Sequence, residues 1–571
     1  MRYDLVFRLF KIFVVVLLAV LPLRIFAQWS TDPFNNLIVG YGLLPELCSD
    51  SAGGCYITYE QGTTYPRHLI LERLNRYGYK PWGTGKRILG EYSEQSGAKI
   101  VEDGQNGVII AYLDEEETGM YNLATRLRVQ RVDSSGNFLW GPNGVRVSLS
   151  ETNQYDEAIV TDGQQGCIVA WRDTLNELRI QRINYLGIYQ WGDSGIVLVK
   201  DGSGAPAMIS DQKGGSIINW RYQKFQRVNL DGEKVWSDTG ITARGGSVRI
   251  SDGMGGVNLA GMEYISYNNG DPYWRAVCQR IDSSGNVLWG QNGIIIADSI
   301  QNVVGLLQAP PFSFAESDLG GITISWSKRV DSSKLSSYLQ RIRSDGTLIF
   351  TDSTVRVSSI DSSSNSPVKI ISSINDSKII LFVDSRSDGS IYIQKIDSLG
   401  KRYWTNDVLA SDWQIDDLNA ITDGNGGIIV VGFGQANFSI QTFQCNLKGI
   451  VGTVITNLQD ERREKPDKFT LHQNYPNPFN SLTIINYSVP PPAERDLVPN
   501  GNRDGQLPID NFVTIKVYNI LGEEVAVLVD GFETAGYKSV TFDGSNRSSG
   551  IYFVRMNAGV YSDVKKIMLM K

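Results

Sequence analysis

The sequence predicts an all-β protein: a β-propeller of eight blades, with seven as the alternative count, followed by a small β-sandwich. Two short sequence elements alternate along residues 28–452 with a repeat of about 50 residues, which is typical of one propeller blade. Each repeat holds four short apolar runs separated by turn residues, and a helical periodicity is almost absent. Repeats of this kind bury a core only by stacking on their neighbours.

The first repeat element is a strand, a tight turn and a tryptophan. It is clearest in QRVDSSGNFLWGPNGVRVS from Gln130 and in QRIDSSGNVLWGQNGIIIA from Gln279. Glycine in this turn supplies the positive φ that a hairpin turn or bulge requires. The tryptophan follows that glycine by four residues, as in Trp140, Trp289 and Trp404. We expect its large apolar side chain to fill the space between neighbouring blades.

The second repeat element is Asp-Gly-x-Gly-Gly followed by an apolar strand. Its aspartate recurs at intervals of 41 to 66 residues, at Asp50, Asp103, Asp162, Asp211, Asp252, Asp318, Asp376 and Asp423. The motif lacks the alternating oxygen ligands and the final glutamate of an EF-hand calcium loop. A tight turn explains every copy. We therefore expect no cofactor, and weak calcium binding at one turn stays open.

The last repeat is incomplete, which determines the predicted number of blades. The eighth unit runs from Asp423 to Val451 and lacks its tryptophan-containing strand. The segment with Trp29 and Asn36–Gly40 has the same pattern as Trp191 followed by Ile196–Val199. We predict that it completes the last blade, because that closes the ring and removes two exposed sheet edges.

The N-terminus reads as an export signal over residues 1–27. A basic front precedes an apolar run of ten residues, Ile12–Leu21, which is too short to span a membrane comfortably. We predict cleavage between Ala27 and Gln28, with a retained anchor as the alternative. The chain has a net charge of −7, and four basic residues and one acidic residue in the leader contribute +3, so the mature chain is near −10. We expect no nucleic-acid partner for a chain of this charge without basic clusters.

Histidine and cysteine are scarce. The two histidines, His68 and His472, are far from each other and from any spaced cysteine pair, so the sequence predicts neither a catalytic residue nor a metal site. Cys48 and Cys55 are close enough in sequence to form a disulfide. Burial as small strand residues is the favoured interpretation of all the cysteines, which also include Cys167, Cys278 and Cys445.

The C-terminal fifth of the chain, residues 469–571, follows a polar linker at 453–468. It contains, in order, QNYPNPFN from Gln473, VYN from Val517, a Leu521-Gly522 pair, SGIYF from Ser549 and a basic end. This succession resembles the C-terminal sorting domain (type A) of the bacterial type IX secretion system. Alternating apolar residues between 513 and 527 favour a small β-sandwich, and residues 490–511 read as a loop.

The resemblance implies a location and partners. It implies export through the periplasm to the outer cell surface or the medium by the type IX secretion machinery, with lipopolysaccharide as a candidate anchor. The sorting signal it implies consists of Lys565, Lys566, Lys571, Gly550 and Tyr552.

Two segments of the repeat region are candidates for function. Tyr264, Tyr267, Tyr273 and Trp274 cluster in an insertion of the fifth unit and suit either carbohydrate binding from loops or ordinary hairpin packing. The acidic run Asp114–Glu117 is expected to be a solvated loop.

The sequence favours a non-enzymatic binding or adhesion module whose ligand is an unknown glycan or protein. Two alternatives stay open: an extracellular polysaccharide hydrolase with carboxylates gathered at the centre of the ring, and a structural spacer of the surface layer.

Overall fold

The computed structural model describes most of the chain after residue 28. The described residues are 29–62, 66–83, 85–88, 94–119, 122–202, 204–221, 223–246, 248–268, 271–301, 312–316, 320–330, 334–350, 354–360, 363, 365–387, 390–412, 415–434, 438–452, 468–471, 474, 477, 479, 482–490, 512–533, 536–559 and 561–570. They fall into two compact units, one within 1–454 and one within 455–571. Among the described helices, none has the length and apolar character of a membrane span.

The first unit consists of antiparallel four-stranded sheets, eight of them within the described residues. Strand β1 (Leu37–Tyr41) comes first in the chain. Seven sheets are each formed by consecutive strands: β2 (Leu43–Ser49), β3 (Cys55–Gln61), β4 (His68–Leu74), β5 (Lys86–Arg87); β6 (Gln95–Glu102), β7 (Val108–Gly119), β8 (Asn122–Val132), β9 (Val145–Arg146); β10 (Gln154–Thr161), β11 (Cys167–Asp173), β12 (Leu178–Ile183), β13 (Ile196–Val199); β14 (Ala207–Ser210), β15 (Ser216–Trp220), β16 (Lys224–Val228), β17 (Ile241–Thr242); β18 (Val248–Ser251), β19 (Val257–Asn268), β20 (Asp271–Ile281), β21 (Ile294–Gln301); β22 (Phe312–Glu316), β23 (Ile322–Arg329), β24 (Leu335–Ile342), β25 (Val355–Arg356); β26 (Asn365–Ser372), β27 (Lys378–Asp384), β28 (Ser390–Ile396), β29 (Val408–Ser411). Two short 3-10 helices flank β27, η1 (Ile374–Asp376) and η2 (Ser385–Ser387).

The eighth sheet closes the ring with a strand from the N-terminus. It contains β30 (Ile415–Thr422), β31 (Ile428–Gly434) and β32 (Ser439–Cys445), and β1 pairs antiparallel with β32, with Leu37 opposite Thr442. The first strand of every blade contacts the first strands of the blades on either side, including β30 against β2. The unit is therefore an eight-bladed β-propeller, and the prediction that the N-terminal segment completes the last blade is confirmed.

A tryptophan of one blade donates a hydrogen bond to the next blade, almost all the way round the ring. Its Nε1–H reaches a backbone carbonyl in the turn between the third and fourth strands of the following blade. The seven bonds are Trp82 to Ser134, Trp140 to Tyr185, Trp191 to Leu230, Trp236 to Ser283, Trp289 to Ser344, Trp404 to Leu447 and Trp29 to Arg76, at 2.9–3.3 Å. Phe350 occupies the tryptophan position of the sixth blade, next to Gly400.

The turn glycine is required by this contact as well as by its backbone. Gly78 has φ +81°, and a Cβ on it would lie 2.9 Å from Cδ2 of Trp29; Gly187 repeats the arrangement beneath Trp140 at 3.1 Å. Any side chain at this point would push the tryptophan of the preceding blade out of its place.

The Gln-Arg pair and the aspartate of the second repeat element complete the same contact. Arg73 binds the Asp50 carboxylate at 2.9 Å and the carbonyl oxygen of Ser134 at 2.8 Å. Arg280 repeats this with Asp252 at 2.8 Å and the Ser344 carbonyl at 2.9 Å. The other carboxylate oxygen of each aspartate accepts two backbone N–H bonds in its own turn, as Asp50 does from Ala52 and Gly54. Each buried ion pair lies within one blade and holds the arginine in place, and the bond from that arginine to the turn carbonyl joins the blade to the next.

The strand pairing in the first blade rules out a disulfide between Cys48 and Cys55. Both are free, buried thiols. In the pairing of β2 with β3, Cys48 lies opposite Tyr56 whereas Cys55 lies opposite Ser49. The two cysteines point to opposite faces of the sheet, and they belong to the hydrophobic clusters on either side of the first blade.

The second unit is a β-sandwich, as predicted. One sheet has the order β33 (Thr470–Leu471), β34 (Leu482–Val489), β37 (Gly536–Asp543). The other has the order β36 (Glu524–Phe532), β35 (Phe512–Asn519), β38 (Gly550–Ala558), β39 (Tyr561–Leu569). Alternate residues of both sheets, such as Ile485, Phe542, Ile515 and Val554, form one buried core. The predicted linker at 453–467 and most of the predicted loop, 491–511, lie outside the described residues.

Trp29 offers a direct test of ring closure. Its side chain is only 1 % exposed and it joins the last blade to the first. We expect Trp29→Ala to lower the free energy of unfolding by about 3–5 kcal/mol, as for other buried tryptophans. Chemical denaturation of the purified protein measures the loss. The control is Phe34→Ala, which removes an aromatic ring that is 59 % exposed in the same segment. If the two variants had the same free energy of unfolding, the Trp29 contact would not contribute to stability as proposed.

Candidate functional site

The two ends of the propeller channel differ in their connections. One end, here called the turn end, carries the tight turns that hold the aspartates and tryptophan contacts described above. The other, the hairpin end, carries the connections from second to third strands and from each blade to the next. The first strand of each blade begins at the hairpin end, as β6 does where Gln95 pairs with Asp114. Because the first strands surround the central channel, their side chains determine its lining.

Five of these first strands carry a β-bulge at the same place, near the hairpin end. The bulges precede Glu46 in β2, Lys99 in β6, Ala158 in β10, Lys369 in β26 and Asn419 in β30. A bulge redirects the side chains beside it. Here it brings together a set of polar residues that we call the channel cluster: Glu46, Lys99, Glu157, Lys369 and Asn419, from five consecutive blades.

Contacts run through the channel cluster from blade to blade. The Lys99 ammonium forms an ion pair with the Glu46 carboxylate, and Glu157 lies within electrostatic reach of both. On the other side, Lys369 Nζ donates to Asn419 Oδ1 at 3.4 Å, and Glu46 acts on the Lys369 ammonium electrostatically without an ion-pair contact among the described residues. All five side chains keep part of their surface exposed, as groups lining a channel do.

Burial shifts the pKa values of two cluster members so that the neutral form of each is favoured. Loss of water around Glu157 raises the pKa of its carboxyl to about 7, although Lys99 acts in the opposite direction. Loss of water around Lys369 lowers the pKa of its ammonium. In both cases burial disfavours the charged form, so the cluster contains a carboxyl group that exchanges a proton near neutral pH.

The strand position that carries Glu46 is polar in some blades and apolar in others. The position four residues before the repeat aspartate is occupied by Glu46, Lys99 and Asn419 in three blades but by Ala158, Ala207 and Val248 in three others. Sequence reasoning missed the channel cluster because each polar residue is unremarkable on its own strand. Superposition of the repeats on their aspartates would have revealed the contrast.

The acidic run Asp114–Glu117 is not the solvated loop that was expected. It lies on β7, which continues to Gly119. Asp114 is buried and forms an ion pair with Arg128 at 2.9 Å, and Glu116 pairs with both Arg128 and Arg146. Burial alone would raise the pKa of Glu116, but hydrogen bonds from the two arginines lower it. The acidic run therefore belongs to the ion-pair network of the hairpin end.

The aromatic residues of the fifth unit lie on strands rather than on a loop. In the β19–β20 hairpin, Tyr264 pairs with Trp274 and Tyr267 with Pro272, while Tyr273 pairs with Ser266. This long hairpin extends the fifth blade at the hairpin end. The side chains of these four aromatic residues lie outside the described part of the structure.

The repeat aspartates serve the scaffold. In the described copies at Asp103, Asp162 and Asp252, one carboxylate oxygen accepts two backbone N–H bonds and the other accepts from an arginine. Within the described residues there is no group of three or more His, Cys, Asp or Glu side chains that could hold a metal ion. His68 begins β4 opposite Gln61, and His472 lies outside the described residues.

The basic end of the chain belongs to the edge strand β39 of the sandwich. Lys565 pairs with Asp563 at 3.0 Å, and Lys566 is exposed. Tyr552 is buried and donates to the Ser548 carbonyl at 2.8 Å, whereas Gly550 is exposed at the start of β38. Ala27, Gln28 and Lys571 lie outside the described residues.

Asn477, which the sequence analysis did not single out, holds the end of β39 in place. Its side-chain amide donates to the Lys566 carbonyl at 3.3 Å and its Oδ1 accepts from Met568 N–H at 2.9 Å. Phe479 adds two backbone bonds to the same strand, with Met568 and Met570. Asn477 and Phe479 thus protect part of an exposed sheet edge.

The raised pKa of Glu157 predicts a pH-dependent stability. Its folded pKa of about 7 exceeds the ordinary value of 4.5, so the folded state binds this proton more tightly. The free energy of unfolding contributed by this group is therefore fully present below pH 4.5 and falls as pH rises to 7. We expect Glu157→Gln to be more stable than the wild type by about 1–3 kcal/mol at pH 8 and nearly equal to it at pH 4.

Urea unfolding at the two pH values measures this difference. The matched control is Glu102→Gln, which makes the same change to an exposed carboxylate at the turn end of β6, away from the channel cluster. A difference between Glu157→Gln and wild type that does not change with pH would contradict the raised pKa.

Comparison with known proteins identifies the second unit. Residues 473–570 match the family described as the secretion system C-terminal sorting domain. No curated protein sequence matches the chain.

Several solved structures are similar in fold. Sqt1 from Chaetomium thermophilum is 11% identical, with a TM-score of 0.35, over 72% of this chain and 100% of its own. The GH43 endo-arabinanase from Bacillus licheniformis is 10% identical, with a TM-score of 0.22, over 65% and 100%. PorZ, a surface component of the type IX secretion system of Porphyromonas gingivalis, is 9% identical, with a TM-score of 0.16, over 95% and 100%. Similarity at this level identifies neither a ligand nor an activity.

The matched family and the strand pairing of the sandwich agree with the motifs at the end of the chain. The sorting domain implies interaction with the type IX secretion machinery and export to the cell surface or the medium. The chain therefore carries a secretion system C-terminal sorting domain, which follows an eight-bladed β-propeller.

Proposed function

We propose that the propeller is a binding module of the cell surface or the medium, and that its ligand enters the channel at the hairpin end. The observation that supports this most is the channel cluster, which places two ammonium groups, two carboxyl groups and an amide on five consecutive blades at one end of the channel. Polar groups that converge in a concave, partly desolvated place are typical of ligand sites.

The two ends of the propeller support the same choice. The turn end is occupied by interactions within the protein, because its aspartates, arginines and tryptophans bond to neighbouring blades. The hairpin end carries the long β7–β8 and β19–β20 hairpins and differs from blade to blade. Variable segments on a rigid scaffold are where binding residues concentrate.

A second candidate function is hydrolysis of an extracellular polysaccharide. Glu157 exchanges its proton near pH 7, as a general acid does, and Glu46 supplies a second carboxylate in the same cluster. Glycoside hydrolysis requires a carboxylic acid and a carboxylate on either side of the scissile bond. A structural spacer, by contrast, would have no use for these groups.

Arrays of glycans and proteins, combined with a screen for polysaccharide cleavage, separate these functions. We expect the purified protein to show saturable binding without turnover, and the double variant Glu46→Gln, Lys99→Met to lose it. The matched control is Lys213→Met, which removes an exposed lysine at the turn end. Turnover that disappears in Glu157→Gln would establish the hydrolase instead. Absence of both binding and turnover would overturn the proposal in favour of a spacer.

We also propose that Lys565 and Lys566 are part of the sorting signal, and that lipopolysaccharide anchors the exported protein. Deletion of the end of the chain would remove Ile567 and Leu569 from the sandwich core and so would unfold the domain as well as remove the basic residues. The double variant Lys565→Gln, Lys566→Gln keeps both core residues.

We expect this double variant to accumulate in the periplasm, because it lacks the two charges of the proposed signal while the sandwich core is retained. Cell fractionation with an immunoblot of surface and periplasm measures the distribution. The control is Lys516→Gln, Lys538→Gln, which removes the same charge elsewhere in the domain. Normal surface delivery of the Lys565→Gln, Lys566→Gln protein would rule out a role for the basic pair.

A further inference from the structure

Lys369 is the least compensated charge of the channel cluster. Its ammonium has three N–H groups to satisfy, and within the described residues it donates one hydrogen bond, to Asn419 Oδ1 at 3.4 Å. None of the described carboxylates lies within ion-pair distance of it. A partly buried ammonium without an anionic partner is unfavourable, and the lowered pKa of Lys369 reflects that cost.

The carboxylate that acts electrostatically on Lys369, that of Glu46, is committed to another group. Glu46 forms its ion pair with Lys99, which leaves Lys369 without a neutralising contact among the described residues. Asn419, which accepts the hydrogen bond of Lys369, is uncharged. The structure therefore contains a place where an anionic group from outside would complete an unfinished ion pair.

We propose that Lys369 and Asn419 bind the carboxylate of an acidic saccharide, such as a uronic acid residue of a polysaccharide, at the hairpin end of the channel. The inference deepens the proposed binding function and rests on it. The Lys369 ammonium supplies a charge-assisted hydrogen bond to one carboxylate oxygen. The amide nitrogen of Asn419 can donate to the other.

A saccharide fits the surroundings better than an acidic peptide. The carboxyl group of Glu157 and the Glu46–Lys99 pair offer donors and acceptors that match sugar hydroxyl groups. A peptide of aspartates would use only the charge.

Titration calorimetry on the purified full chain tests the proposal with three probes: tetragalacturonic acid, a neutral galactose tetramer and a tetra-aspartate peptide. We expect the acidic tetramer to bind at least about tenfold more tightly than the other two, the factor given by one charge-assisted hydrogen bond. Two variants should remove that preference. Lys369→Met deletes the ammonium, and Asn419→Asp places an internal carboxylate where Oδ1 lies, which neutralises Lys369 without changing the size of the residue.

Lys213→Met serves as the control and should bind as the wild type does. Thermal melting of each variant confirms that the fold is kept, and Asn419→Asp should melt no lower than the wild type because it gains an ion pair. Equal affinity for the neutral and acidic tetramers would overturn the carboxylate site and leave the binding module standing. An unchanged preference for the acidic tetramer in either variant would also overturn the carboxylate site. Tighter binding of the peptide than of the acidic tetramer would show that the ligand is an acidic protein and not a saccharide. Failure of all three probes together with a blank glycan and protein array would overturn the proposed function itself.

Discussion

The propeller depends on one repeated contact, in which the backbone carbonyl of a turn accepts hydrogen bonds from the tryptophan and the arginine of the preceding blade. At Ser134 these donors are Trp82 and Arg73. The arginine is in turn held by Asp50, whose other oxygen binds its own turn. Local turn chemistry and the junction between blades therefore use the same residues, and a blade that folds correctly also presents the contact for its neighbour.

This arrangement separates stability from recognition along the channel axis. The contacts between blades are concentrated at the turn end, where nearly every blade repeats the same residues. The hairpin end does not carry these repeated contacts, so its hairpins differ in length and its first strands can carry charged side chains. The channel cluster lies on this end, beside bulges that interrupt regular strand pairing.

Sequence reasoning reached the fold through features that are local in the chain. The repeated turns and the resemblance of Trp29 to the other tryptophans predicted the strands, the eight blades and the closure of the ring. It could not reach the channel cluster, because Glu46 and Lys369 are more than 300 residues apart and meet only when the ring closes. The strand register likewise decided that Cys48 and Cys55 point to opposite faces, and that Asp114 is buried rather than solvated.

The repeats also provide an internal comparison for the meaning of the channel cluster. At the same position of the same bulge, β2 carries Glu46, β6 carries Lys99 and β10 carries Ala158, and all three strands occupy their place in the ring. The scaffold therefore accepts a small apolar residue there. Desolvated charges such as Lys369, and a carboxyl group such as Glu157 that resists ionisation, reduce stability rather than support it. Groups that destabilise a fold and are gathered at one end of its channel are best explained by what they bind.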